Sequence, residues 1–310
     1  MRRFFSVTLL SLCLVMIQAV TLPVLNHYTV QAEKKKIILQ HADTIEGGEA
    51  AAGPYRSVIG NVVFLDGNMT LKCDRATEYE RENKIVLQGN VFIADNTFDI
   101  YGESGLYFPE KEIGELGGKV KGRMLNNSFA SKAERAVVNK STSQIFLYGE
   151  AIAWHEQKQV SGDTIMLHLR EGGKKGQKRS IDEMQVDGNA FFAAQDTLSL
   201  TPVVYDQLGG KKMVIRLNEM SKITGITVTG QAESLYHLYD EKRKPSGINY
   251  SSGNMIRMSF REGSMTKVAV TGNVEGKQFP ERFRGKKEIN LSKFAWREEE
   301  NPFRKEKNLP

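Results

Sequence analysis

The chain has 310 residues, 40% hydrophobic and 26% charged, an ordinary globular composition with room for one large or two medium domains. Its formal net charge is +6, and residues 1–32 contribute Arg2 and Arg3 and no acid, so the remainder carries +4. That balance is too mild to argue for a nucleic-acid partner.

In chain order, Met1-Arg2-Arg3 is a basic start, followed by an apolar run from Phe4 to about Leu25 and the small-residue site Val30-Gln31-Ala32. This predicts a secretory signal peptide over residues 1–32, cleaved near Ala32. The run is also long enough for an uncleaved inner-membrane anchor. Cys13 follows Leu12 instead of a small residue, which argues against a lipoprotein anchor. No later segment is apolar enough to span a bilayer. With Cys13 in the signal, Cys73 stands alone, so neither an intramolecular disulfide nor a thiolate metal site is available.

After a lead-in over 33–56, one phrase recurs: Gly60-Asn-Val, Gly89-Asn-Val, Gly118-Lys-Val, Gly149-Glu-Ala, Gly188-Asn-Ala, Gly230-Gln-Ala and Gly272-Asn-Val. The spacings are 29, 29, 31, 39, 42 and 42 residues, the mark of a stacked architecture. Between the glycines the apolar period is two. Val62 and Phe64 share a face, as do Leu71 and Cys73, Ile85 and Leu87, Val91 and Ile93, Phe98 and Ile100, and Ile145 and Leu147. Lys72, Asp74, Gln88, Asp99 and His168 point the other way, so these are half-buried β-strands. Asp66-Gly67-Asn68 and Arg81-Glu82-Asn83 are hairpin turns, and each repeated glycine marks a bend or bulge where a strand changes sheet. Glycine is frequent (28) and proline scarce (8), as many short strands require.

Two loops interrupt the rhythm, at 171–179 and 240–247; both are basic and read as solvated hairpin tips. Residues 276–310 form a basic and aromatic tail with Phe283, Phe294, Trp296 and Phe303, either disordered or folded onto a partner.

The stretch GNVVFLDGNMTLKCDRATEYERENKIVLQGNV, residues 60–91, resembles the OstA-like periplasmic proteins of lipopolysaccharide transport. Leu71-Lys-Cys-Asp-Arg-Ala76 with Tyr79, and Phe129-Ala-Ser-Lys-Ala133-Glu-Arg-Ala136, stand in that family's repeat positions. The match covers residues 57–170 well, a first set of OstA-like repeats, and 171–275 more loosely, a second diverged set. The resemblance implies an all-β fold of repeated antiparallel layers, an elongated β-jellyroll open along one side, whose interior holds lipid A acyl chains. It departs from the family's single-domain bridges in being longer.

The residues alone do not separate core from groove, and by themselves favour a plain core for the inward face. The resemblance makes it a groove, lined by Val62, Phe64, Leu71, Ile85, Leu87, Val91, Ile93, Phe98, Ile100, Val120, Phe129, Ile145 and Leu147. Lys72, Arg75, Lys121, Arg123 and Lys132 are then candidates for the phosphates of lipid A. Unpaired strands at the two ends of the stack offer edges for lipopolysaccharide-transport partners or for further copies of the chain.

Nothing points to an enzyme, metal or cofactor. His27, His41, His155, His168 and His237 are scattered singly, and no nucleophile elbow or phosphate loop is present. The expected function is non-enzymatic lipopolysaccharide binding and bridging in the periplasm. The alternative is a structural β-repeat scaffold of the envelope that recruits partners through its sheet edges.

Overall fold

The computed structural model describes residues 37–51, 53–125, 129–170, 179–199 and 201–304. The predicted signal peptide and most of the basic loop at 171–179 lie outside them. The chain is built almost entirely of β-strands, with a few short 3₁₀ turns and no α-helix among the described residues. The strands are β1 (Ile38–His41), β2 (Thr44–Ala50), β3 (Gly53–Asp66), β4 (Met69–Tyr79), β5 (Lys84–Ala94), β6 (Phe98–Phe108), β7 (Ile113–Met124) and β8 (Ala130–Asn139). They continue as β9 (Gln144–His155), β10 (Lys158–Arg170), β11 (Ser180–Gln195), β12 (Tyr205–Leu217), β13 (Ile223–Tyr239), β14 (Pro245–Arg261), β15 (Ser264–Thr271) and β16 (Glu275–Phe279). From β3 to β15 each strand pairs antiparallel with the next. The sheet does not close on itself: β1 and β2 both pair β3 at one end, and β15 and β16 both pair β14 at the other.

The repeated glycine explains how one ladder makes two layers. In β5, Gln88 pairs with Ser104 of β6 and Val91 with Gly102, so Gly89-Asn90 opposes Glu103 alone. That is a β-bulge, one extra residue that bends the strand. Both corner residues are left-handed, Gly89 at φ 71° and Asn90 at 46°. The same pair of positive φ angles recurs at 60–61, 118–119, 149–150, 188–189, 230–231 and 272–273. Each full-length strand is thus folded at a common seam into two halves. Arm I contains the residues before the glycine in β3, β5, β7, β9, β11 and β13; arm II contains those after it. In the even strands the order is reversed. At the ends, β2 and β15 belong to arm I, and β1 and β16 to arm II.

The seam also accounts for the residues beside the glycine. Asn90 donates to Asp74 of β4 at 2.9 Å, Asn61 to Asp43 at 3.2 Å and Asn189 to Asp163 of β10 at 3.0 Å. An acid lies over each of the first five corner glycines, on the preceding strand in four of them and just before β2 at Gly60, and a Cβ on Gly89 would stand 2.2 Å from Asp74 Oδ2. At the sixth, Gly230, the neighbour is instead the flexible stem of Lys211, 3.0 Å away. Gly89→Ala therefore has to pay for left-handed backbone and move a carboxylate, at a cost of about 2–4 kcal/mol. Gly230→Ala meets the backbone cost alone, about 1–2 kcal/mol. Denaturant midpoints of the two variants check the order; equal losses would remove the acid from the explanation.

Alternation within each arm puts one face inward, and the inward faces of both arms form a single apolar cluster from Val58 to Met258. The ladder crosses residue 170 without a break, since β10 pairs β11 from Lys158↔Ala194 to Arg170↔Ser180. The late repeats are longer because the segments between β10 and β11 and between β11 and β12 are longer, and because arm II lengthens in the last of them, from Val91–Ala94 in β5 to Ala232–Tyr239 in β13.

The tail does not leave the fold. Residues 280–304 run back across the outer face of arm II as a strap, from β14 to β6. Phe283, Ile289, Phe294 and Trp296 pack on Phe191, Leu235 and Ile248, and Phe303 reaches Trp154 and, at 6.1 Å between ring centroids, Tyr101. Two buried glutamines pin its backbone. Gln159 donates to the Ala295 carbonyl and accepts from the Arg297 N–H, each at 2.8 Å, and Gln207 accepts from the Leu291 N–H at 2.9 Å. The two expectations for the tail, disorder or a partner's surface, are replaced by its own sheet.

Candidate functional site

All thirteen residues proposed as groove lining lie in the one inward cluster, and none is more than 8% exposed. Ile85, Leu87, Ile145 and Leu147 come from arm I. Val62, Phe64, Leu71, Val91, Ile93, Phe98, Ile100 and Val120 come from arm II, and Phe129 stands just before its β8 segment. In this conformation they pack against one another. Large and small residues alternate across the strands. Leu87 sits between Ala76 of β4 and Gly105 of β6, and a Cβ on Gly114 would stand 2.9 Å from Ile93 Cδ1.

The interior opens at its N-terminal end. Ile37, Leu39, Ile45, Val58, Phe64 and Ala76 surround a cavity of about 380 Å³, with Arg56 and Glu78 at its wall 2.5 Å apart. The end layer formed by β1 and β2 covers this mouth incompletely, and leaves Ile38 and Ile45 at 50% and 61% exposure. Among the described residues β2 has one neighbour and its other backbone edge is unpaired; Glu46 and Glu49 flank its Gly47-Gly48 centre. Such charges discourage indiscriminate strand addition.

Opposite the seam, the arms end in two rows of turns separated by a slot, and polar groups bridge it. Asp66, at the arm II end of β3, accepts from the Tyr107 hydroxyl of arm I in a short hydrogen bond and lies 3.8 Å from Lys140 Nζ in the β8–β9 turn. Lys140 also stands 3.6 Å from Glu112 on its own row. Asp95, in the β5–β6 turn, pairs closely with Arg179 just before β11, whose guanidinium covers the Phe98 ring at 5.8 Å. Glu156, in the β9–β10 turn, accepts from Lys222 of the β12–β13 turn at 2.6 Å. The space between the first two bridges is a void of about 10 Å³, scarcely room for one water.

These bridges shift their members. The Tyr107 hydroxyl is pushed far up by burial and by the adjacent Asp66. Hydrogen bonds from Lys158 and Lys222 hold the Glu156 carboxyl down at about 2, and those from Arg297 and Lys132 do the same for Glu300 on the strap. Both carboxyls sit below their ordinary value, so both add stability above about pH 4.5 that is lost as the pH falls toward 2. An acid titration followed by amide exchange should loosen the strap around Glu300 and the β9–β10 turn within that window. In Glu300→Gln the strap should show no such step. Burial lifts the Cys73 thiol to about 11, which leaves it inert at neutral pH.

The cations expected to meet phosphates lie elsewhere. Lys72 and Lys121 cover the rings of Phe92 and Tyr101 on the outer face of arm II, at 5.7 and 5.4 Å. Arg123 binds Asp99 at 2.7 Å, Lys132 binds Glu300 at 2.9 Å, and Arg75 pairs with Glu46 on the outer face of arm I. Period-two alternation turns them outward, so none reaches the slot. The bridging residues come from turns and strand ends, where alternation makes no prediction. Among the described residues no cluster of histidine, cysteine and acids could hold a metal, and no helix is long and apolar enough to cross a membrane. His168 and His237 each pair with an aspartate, Asp182 at 2.7 Å and Asp206 at 3.0 Å.

No curated protein matches this sequence. Among solved structures, the chain is similar to LptH of Pseudomonas aeruginosa, described as the LptA homologous periplasmic component of the lipopolysaccharide transport device. The identity is 10% and the TM-score 0.36, over 50% of this chain and 96% of that one. The family described as OstA-like protein matches residues 34–134, from the lead-in to the bend of β8, and so takes in the corners at Gly60, Gly89 and Gly118. The resemblance carried by Gly-Asn-Val and its flanking strands agrees with that match, and residues 34–134 are similar to the OstA-like family.

Proposed function

We propose that this chain is a non-enzymatic carrier, a periplasmic lipopolysaccharide-binding and bridging protein that holds lipid A acyl chains between its two arms. The observation that carries the reading is the continuous apolar interior with a mouth of about 380 Å³ at its N-terminal end. That volume is of the size that takes small apolar ligands. The OstA-like match over residues 34–134 adds to it. Transfer of one methylene from water is worth about 0.8 kcal/mol, so a chain of about a dozen carbons gains on the order of 10 kcal/mol without a catalytic group. The thirteen interior residues become lining when the arms part, and the cost of parting is set against that gain. The edges of β2 and β15, each without a second partner strand among the described residues, suit stacking with further copies or with other transport proteins.

The test is saturable binding of lipid A to the purified protein. Ile100→Asp, if folded, should abolish it. Ile45→Asp, at an exposed position of the mouth, should leave the fold intact and weaken it by about ten-fold, the cost of a charge on the entry path. Absence of saturable binding by the wild type would reject the carrier.

A second reading is a scaffold whose layers are sealed and whose edges recruit envelope partners. The tight packing of the thirteen residues favours it. It predicts concentration-dependent assembly through strand edges with no lipid uptake.

A further inference from the structure

The slot opposite the seam is closed by charges, with Met69, Phe98 and Val138 among the polar residues that line it and the apolar cluster behind them. Its three bridges have one polarity: Lys140, Arg179 and Lys222 stand on the arm I row, and Asp66, Asp95 and Glu156 on the arm II row. They are staggered along the stack. Asp66, at the end of β3, meets a cation from the β8–β9 turn; Asp95, in the β5–β6 turn, meets Arg179 just before β11; Glu156, in the β9–β10 turn, meets a cation from the β12–β13 turn. Burial is graded as well. The Arg179 and Asp95 side chains are 13% and 4% exposed, while Lys222 and Glu156 are 49% and 38% exposed.

A sheet that needed only a sealed core would be served as well by apolar contacts, because desolvation of a buried ion pair consumes most of its attraction. What an ion pair provides, and a leucine does not, is exchange. A competing anion can take the cation and release the carboxylate row. The arrangement suits an amphiphile with an anionic head: its phosphate offers oxygens that match guanidinium and ammonium donors, and its chain fits the apolar space behind them.

We infer that the slot is the side entrance of the interior, that its three ion pairs are latches, and that a phosphate-bearing amphiphile opens it by displacing Asp66, Asp95 and Glu156 from Lys140, Arg179 and Lys222. This rests on the carrier reading and adds to it the entry route and the head-group class. The phosphate ends on the arm I row, with the acyl chain passing between Phe98 and Val138 into the cluster.

The experiment compares dodecyl phosphate with dodecyl maltoside, which has the same chain and a neutral head, below their micelle concentrations. The wild type should bind the phosphate about ten-fold more tightly, the effect of a charge-assisted pair. Lys140→Gln, Arg179→Gln and Lys222→Gln together should remove that preference and leave maltoside binding the same or tighter. Asp66→Asn, Asp95→Asn and Glu156→Gln together should strengthen phosphate binding, because the cations are already released. Should either triple variant fail to fold, Lys222→Gln and Glu156→Gln alone, at the most exposed latch, should shift the preference in the same opposite directions by about two- to three-fold. Binding of both amphiphiles with a preference that these variants leave unchanged overturns the latches and leaves the carrier standing. Binding of neither by the wild type removes both.

Discussion

Leu87→Ala will lower the unfolding free energy by about 3–5 kcal/mol, among the largest losses any single truncation in this chain will cause. The side chain is fully buried on the inner face of arm I. Its cross-strand neighbours are Ala76 and Gly105, so no large side chain stands directly opposite it on either adjoining strand to fill the space. The backbone cannot close it either, because β5 is hydrogen-bonded into the ladder on both edges. A cavity that cannot collapse lies at the costly end of the range. Val86→Ala, one residue away on the half-buried outer face, should cost less than about 1 kcal/mol. Urea melts of both variants decide the matter. A loss of about 1 kcal/mol for Leu87→Ala would mean that the resting interior is already wet and gaping, and the latches would then have nothing to hold shut.

The layered β architecture could be read from the chain because its two signals are local. Alternation with a period of two needs only neighbouring residues, and Gly-Asn needs only a backbone with two successive positive φ angles. The acid over the early corners was less visible. Asp74, Glu103, Glu134 and Asp163 lie 15, 15, 15 and 25 residues before the glycines they cover, and their role appears only when strands are placed side by side. The strap left a trace that alternation overlooks. Ala151-Ile-Ala-Trp154 and Ala190-Phe-Phe-Ala193 are unbroken apolar runs inside strands that otherwise alternate. Such runs mean burial on both faces. Ile152, Trp154 and Phe191 do face outward, under the tail. What covers them was not legible, because Gln159 and Gln207 are isolated polar residues that gain meaning only from backbone laid across them. The latches were hidden for a related reason. Asp66 and Lys140 are 74 residues apart, one at the end of β3 and the other in the β8–β9 turn, and the stagger of one arm over the other decides whether they meet.

Ending the chain at Phe279 should leave the ladder folded and make the protein self-associate. The strap adds no strand to the sheet, whose pairings are complete at β16. Far-ultraviolet circular dichroism should therefore keep its β signature. What the deletion removes is the cover over Ala130, Ile152, Trp154, Phe191, Leu235 and Ile248, all less than 6% exposed in the full chain. It also frees Tyr205, whose ring lies 5.2 Å from Phe294 and 4.7 Å from Trp296. The result is a contiguous apolar patch on an open sheet, the kind of surface that soluble monomers keep small. Fluorescence gives a clean readout, because the chain has two tryptophans and the truncation leaves only Trp154. Its indole N–H is buried without an acceptor among the described residues. Exposure should shift its emission to the red and offset part of the loss by hydrating that group. Sedimentation should show oligomers that Gln159→Ala and Gln207→Ala, made together in the full-length chain, reproduce in part by loosening the strap. A truncated chain that stays monomeric with unshifted Trp154 emission would mean that the patch closes by itself, and the strap would then have no part in keeping the sheet single.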